Sequence, residues 1–505
     1  MATSTFLLLP VLPAVLYAAA AMFANSGLRD AAWRRAEAAA LGATLAAAAA
    51  LAAVLAGGPL VGFGLRLDTP GAVVALLVGF VGWVIVRYSH RYLQGEANER
   101  RYLRLLALTL AAVSLVLAAD HLLLLAAAWI GTSLTLHRLL RFYVERPAAR
   151  LAAHKKFLSA RAADAALLGA VALLGSAYGT LSLEAMITQA ATQGVPPLGQ
   201  AGLALLVVTA LLKCAQLPLH GWLIQVMEAP TPVSALLHAG VVNLGGLVLI
   251  RFAPMLADAP VALVLLAAVA TATVVVATLV MGTRISIKVA LAWSTVAQMG
   301  FMLLQVALGL PAMALLHLVA HSLYKAHAFL AAGGVVQRQQ ALRLAPAGKP
   351  SAARWALAAL TVPALIVGAG VASGALATMA AALAGAVLGL ALVPLAASGR
   401  IAAALAVALG WFAGHAAAST VVVPPTFAVP LALVAVVAVA LLAMFALQAA
   451  VALRPDWHGV RQLYPWAYGG FYIDERASRA LLARWPVPDA PVATEPLSST
   501  FAGAR

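Results

Sequence analysis

Two lysines lie deep inside long apolar runs, Lys213 in LLVVTALLKCAQLPLHGW and Lys325 in ALLHLVAHSLYKAHAFLAAGG. Only six of the 32 basic side chains are lysine, so the choice is not routine. Arginine keeps its charge under essentially all conditions, whereas a desolvated lysine loses its proton near neutral pH. A cation at mid-bilayer depth costs roughly 2.5–3.5 kcal/mol on insertion scales. Two deprotonatable cations at such positions point to chemistry in which protons come and go.

His317, His321 and Lys325 follow one another at i, i+4 and i+8, which places them on one helix face. HxxxH spacing also suits zinc. There is no HExxH glutamate, no acidic residue in the span, and a cation on the same face, so a proton-passing row is the better reading. His327 is off this stripe and is expected to pack. Pro218 stands five residues after Lys213 and should break the helix just past the lysine. Such breaks at membrane depth expose backbone carbonyls and admit water. The run EAPTPVSALLHAGVVNLGG carries His238 into the next span, either as a titratable group or as a packing histidine bonded to a carbonyl. Asp164 follows Arg161 by three residues at the expected start of a span, a local pair or a pair of pathway groups. Lys288 falls near a membrane surface, where it can snorkel. Glu228 sits between the expected break and the APTPVS turn, and Asp120 in a tight turn. With only 16 acidic residues in the chain, each of these narrows the search for a partner to the lysines.

The elements that must position these groups are membrane helices. The chain has 505 residues, 64% hydrophobic and 10% charged, and a mean hydropathy of +0.99, which excludes a soluble globular protein. About fifteen apolar segments recur between residues 5 and 452. The expected fold is all-α and polytopic, with about 13–15 transmembrane helices. The first residues lack a basic n-region and read as the first span rather than a signal peptide. The net charge of +16 comes from Lys and Arg placed between apolar runs, the pattern of the positive-inside rule rather than of nucleic-acid binding. The stretches 87–104 and 138–161, the latter with Lys155 and Lys156, read as basic cytoplasmic loops. This alternation puts the N-terminus outside a bacterial inner membrane and the C-terminus in the cytoplasm. The single cysteine, Cys214, excludes an internal disulfide and a multi-cysteine metal cluster. Residues 1–452 form the transmembrane domain and 453–505 a cytoplasmic tail. In the tail, aromatics are followed by a short amphipathic helix, the charges of Asp474, Glu475, Arg476 and Arg479 argue that part of the segment faces another protein or water, and 487–505 are expected to be disordered.

KCAQLPLHGWLIQVMEAPTPVSALLHAGVVNLGG resembles the signature of the antiporter-like subunits of respiratory complex I (NuoL type) and of Mrp-type sodium/proton antiporters. IKVALAWSTVAQMGFM and HLVAHSLYKAHAFLAAGGVV resemble later signature helices of that family, and GGFYIDE is weakly similar near the tail. The resemblance implies a bundle with inverted repeats and broken helices. It implies Lys213 and Lys325 as relay lysines, and His238, His321 and His317 as groups of a hydrophilic axis. Arg161 with Asp164 would be polar partners. The family's glutamate in a GWEG-like motif is replaced here by Ile130 in AAAWIGTS, which leaves Asp164 as the candidate partner of Lys213, and 355–399 hold no charged residue. These departures speak against a standard complex I pump. They favour the membrane subunits of DabA–DabB inorganic-carbon accumulation complexes, which this chain resembles most. That likeness implies a cation-conducting, non-enzymatic subunit, with protons as the expected cation and no cofactor of its own. Its partner would be a large cytoplasmic DabA-like subunit carrying zinc. A complex I-like or hydrogenase-like pump subunit and an Mrp-type antiporter subunit are the alternatives.

Overall fold

Long alanine- and leucine-rich runs with few charges favour helices, which satisfy every backbone donor within the segment as a bilayer requires. The computed structural model describes residues 8–143, 145–334, 351–422 and 429–487. Helices α1 (Leu12–Met22), α2 (Arg29–Gly57), α3 (Thr69–Tyr92), α4 (Glu99–Ala118), α5 (Leu122–Leu140) and α6 (Pro147–Tyr178) come first. A small antiparallel hairpin, β1 (Leu60–Gly62) with β2 (Leu65–Leu67), links α2 to α3. Twelve helices among the described residues are long and apolar enough to cross a membrane. Leu12–Asn25 and Pro197–Lys213 are shorter apolar helices. The polar stripe lies on a further helix, Pro311–Leu330.

Local chemistry sets the helix ends. Asp68 accepts from the Gly71 amide to cap α3, and Ser182 accepts from Ala185 to cap α7 (Leu183–Gln193). α6 opens with Pro147 and closes on Gly179 in the left-handed region. On the same side as α7, Asp120 accepts from the Ser182 hydroxyl at 2.6 Å and the Glu184 amide at 3.1 Å. Its role there is to tie connections together.

The two breaks in the bundle follow from the sequence. α8 (Pro197–Lys213) ends on the lysine itself. The chain then runs irregularly to a five-residue helix, α9 (Gly221–Gln225). The expected break after Lys213 is present. The next span is interrupted at Gly240, between α10 (Thr231–Ala239) and α11 (Leu244–Arg251). Asn243 spans that interruption, donating to the Ala239 carbonyl at 3.1 Å and meeting the Ser322 hydroxyl at 2.6 Å. The two halves occupy the centre of the bundle, with 89% of the span enclosed. Close approach is possible because α11 opens with Gly245 and Gly246. A Cβ there would stand 2.5 Å from Cys214 Sγ and 2.1 Å from the Met302 methyl.

After the short α12 (Ala253–Leu256) come α13 (Pro260–Met281), α14 (Ile287–Ala307) and α15 (Pro311–Leu330). Four further spans follow: α16 (Ala352–Ala372), α17 (Met379–Ala397), α18 (Ile401–Val421) and α19 (Leu431–Leu453). α18 and α19 are only 17% enclosed, so most of their apolar surface faces outward as lipid-exposed surface would. The chain ends its described part with α20 (His458–Tyr468) and α21 (Ile473–Arg484). The expected disorder of 487–505 lies outside the described residues, Val487 excepted.

Candidate functional site

Lys213 closes α8 where the helix stops, and its amine reaches across to residues of α5 and α6. It lies 2.7 Å from Asp164 Oδ1, 3.1 Å from the Ser133 hydroxyl and 3.5 Å from the Trp129 carbonyl. It also stands 5.0 Å from the centre of the Trp129 ring. The second Asp164 oxygen is 2.5 Å from the Arg161 guanidinium. The Lys213 and Asp164 side chains are each only 7% exposed, against 34% for Arg161. One carboxylate therefore sits between two cations, one enclosed and one reaching outward. Asp164 was the expected partner in the absence of the family glutamate, and the geometry brings the two together. It does so from the middle of α6, not from a helix start: the helix begins at Pro147. Ile130, half-buried on α5, contributes no charge to this cluster.

A feature missed in the sequence adjoins this pair. Lys155 and Lys156 are not loop residues; both lie within α6 and each is 5% exposed. The Lys156 amine donates to the Ser133 carbonyl at 2.6 Å, while the Ser133 hydroxyl meets Lys213. Ser133 thus joins two buried lysines. A cavity of about 30 Å³ lies among Trp129, Ser133, Lys156, Lys213 and Trp222. That is enough for a water molecule or two with polar partners. Ser133→Ala removes a hydrogen bond to a buried cation, and such bonds are worth about 1.5–3 kcal/mol. The expected result is a lower unfolding temperature in detergent with the fold retained.

The second cluster is on α15. His317, His321 and Lys325 share one face as the spacing predicts, and the two imidazole centres are 6.0 Å apart. His317 Nδ1 lies 3.2 Å from the Gln305 side-chain oxygen. Lys325 is fully buried and donates to the Leu291 carbonyl at 2.9 Å. His238, at the end of α10 just before the break, stacks on Phe329 at 4.5 Å, one turn beyond Lys325. It is completely buried, and among the described residues neither ring nitrogen has a hydrogen-bond partner, so no bond to a described carbonyl forms. His327 is exposed rather than packed. A cavity of about 880 Å³ opens along the stripe, its polar wall including Gln298, Gln305, His317, His321 and Lys325.

Two candidates lie apart from these clusters. Glu228 is half-buried in a 3-10 turn, 3.9 Å from the exposed Arg146. At that distance and exposure the pair is worth little. Lys288 stands in the first turn of α14 and donates to the Thr231 hydroxyl at 3.0 Å, tying that helix to the start of α10.

The C-terminal segment packs back on the bundle. Phe471 and Tyr472 have positive φ (53° and 56°), and this turn directs Asp474 inward. Its carboxylate pairs with Lys155 at 2.8 and 3.0 Å. Arg284 donates to the Ala467 and Tyr468 carbonyls, and burial lowers its guanidinium pKa. His154 Nε2 lies 3.0 Å from the Trp485 carbonyl. Asp474 was expected to face water or a partner and instead faces a lysine of the bundle. Glu475, Arg476, Arg479 and the aromatics Trp457, Tyr464, Trp466 and Tyr472 remain exposed.

Residues 119–349 match the family described as NADH:quinone oxidoreductase/Mrp antiporter. Residues 56–103 match the N-terminus of chain 5 of NADH-ubiquinone oxidoreductase (complex I). A probable inorganic carbon transporter subunit DabB of Hydrogenovibrio crunogenus is 51% identical over 294 residues, 58% of this chain and 57% of that protein. NADH-quinone oxidoreductase subunit L of Mycobacterium tuberculosis is 37% identical over 288 residues, 56% of this chain and 45% of that one. The chain spans about half the length of the curated relatives it matches. Among solved structures, the Mrp complex from Dietzia shares the fold with a TM-score of 0.59 at 22% identity, over 97% of this chain and 58% of that one. The chain is a multi-pass membrane protein, similar over residues 119–349 to the NADH:quinone oxidoreductase/Mrp antiporter family.

Proposed function

We propose that this chain conducts protons across the membrane as a subunit of an inorganic-carbon accumulation complex. The observation that carries the reading is the Lys213–Asp164–Arg161 cluster at the end of a broken helix. A lysine there holds its proton while Asp164 is close, and gives it up when the carboxylate turns toward Arg161. Coulomb attraction between unit charges falls with distance and is large only where water is sparse, as it is around this pair. A small movement of Asp164 between its two cations therefore changes the proton affinity of Lys213. The stripe of His317, His321 and Lys325, with its large cavity, supplies a second titratable station with room for water. His238 belongs to that station through its place beside Phe329.

The carbon assignment rests on the DabB relatives, which are named as inorganic carbon transporter subunits. CO2 hydration would occur in a large soluble partner carrying zinc, with this chain supplying the driving force. The proposed orientation places the tail and the Lys155 end of α6 in the cytoplasm of a bacterium. The likeness to subunit L favours a second reading, a redox-driven pump subunit. The replacement of the family glutamate by Ile130 speaks against that second reading.

The test is reconstitution of the purified chain in liposomes containing a pH-sensitive dye, with a potassium diffusion potential across the membrane. Proton influx above that of empty liposomes is expected, insensitive to sodium. Sodium flux without proton flux would overturn the proton assignment. Purification of the native complex with metal analysis is expected to yield a zinc-bearing partner; quinone or iron–sulfur subunits instead would establish the second reading.

A further inference from the structure

Among the described acidic residues of the C-terminal segment, Asp474 alone pairs with the membrane bundle. Its seat is built for a carboxylate. Lys155 grips both oxygens, the Ser478 hydroxyl donates at 3.0 Å, and the Gln225 amide approaches at 3.5 Å. Gly221 forms the floor: a Cβ there would stand 1.6 Å from Asp474 Oδ1, so only glycine admits the carboxylate. Around this floor, His220 Nε2, Trp222 Nε1 and Gln225 Oε1 are buried with no hydrogen-bond partner among the described residues. Three orphaned polar atoms in one short stretch are costly unless water reaches them.

The seat adjoins the lysine cluster by chain continuity on both sides. Trp222, next to Gly221, lines the cavity that holds Lys156 and Lys213. Lys155, which grips Asp474, precedes Lys156, which bonds to Ser133 and so connects to Lys213. A clasp that merely fastened the tail would need no polar seat and no such neighbour.

We propose that Asp474 is the proton-access group of the Lys213 site, supplied by the C-terminal segment. The inference rests on the proton-conducting reading given above. The carboxylate takes a proton from bulk water and releases it into the polar seat, from which Lys156 and water in the cavity it shares with Lys213 pass it on to the Lys213 amine. Lys155 is a positioning residue, holding the carboxylate over Gly221. A carboxylate held at the surface end of a buried path is a suitable acid and base for this step.

The experiment uses full-length protein in the liposome flux assay, after wild-type flux and its loss in Lys213→Ala have established the underlying reading. Asp474→Asn keeps the size of the side chain and removes the titratable group; flux is expected to fall about ten-fold or more. Asp474→Ala leaves space where the carboxylate stood, and added formate is expected to restore at least half of the lost flux. Lys213→Ala liposomes with the same formate report the leak of the free acid, which is subtracted. Gly221→Ala is expected to lower flux as Asp474→Asn does, with Asp474 still present but displaced. Wild-type flux in Asp474→Asn, or a loss in Asp474→Ala that formate leaves unmoved, would overturn the proposal, the latter leaving Asp474 as a structural clasp.

Discussion

Lys213→Arg is expected to fold, insert and fail to conduct. The guanidinium can still pair with Asp164, meet Ser133 and lie over Trp129, so the contacts that hold Lys213 are largely kept. What is lost is the ability to release a proton, since arginine stays charged at any pH the protein meets. Proton flux in liposomes should drop about 100-fold or more, the scale of removing a proton-transferring group. Lys213→Ala should lose flux to the same extent, with the added burden of Asp164 facing Arg161 alone. Equal flux in the arginine variant and the wild type would remove the relay argument at this site. Lys325→Arg provides the parallel test for the histidine stripe. Among the described residues the amine there has only the Leu291 carbonyl as a hydrogen-bond acceptor, so the larger guanidinium is harder to satisfy.

How legible these groups were in the sequence depends on how local their signals are. Lys213 stood out because an amine in an apolar run is rare, and the helix end beside it because Pro218 follows closely. Asp164 could be named as its partner because so few carboxylates were available. The stripe on α15 was readable from a period of four. Lys155 and Lys156 were not recognised, because basic residues from Arg138 to Arg161 read as one loop. A usable signal was present. Ala149, Ala153, Lys156, Ala160, Ala163 and Leu167 recur at helical spacing and are all buried on one face of α6. Read with that period, Lys156 belongs to the apolar face and is a buried cation. The Asp474–Lys155 pair had no such signal. It joins residues 319 positions apart, through a turn with positive φ at Phe471 and Tyr472 that no residue preference announces.

Asp164→Asn, combined with Lys213→Met, is the change in which stability and transport should part company. Removing the carboxylate leaves Lys213 and Arg161 near each other without an anion between them. Breaking a buried ion pair from one side costs about 3–5 kcal/mol, because the remaining charge stays desolvated. Thermal unfolding in detergent should therefore shift clearly downward for Asp164→Asn. The double variant Asp164→Asn with Lys213→Met removes both partners, and replacing a buried pair by groups of similar volume is often neutral or stabilising. Its unfolding temperature should return toward that of the wild type. Flux should not return, since neither the titratable amine nor the carboxylate that switches its affinity remains. This pattern distinguishes a conducting pair from a structural one. If Asp164 served only to neutralise Lys213 for folding, the double variant would recover both stability and conduction. If the two recover together, transport runs through the histidine stripe alone, and the Lys213 cluster is a relic of the fold.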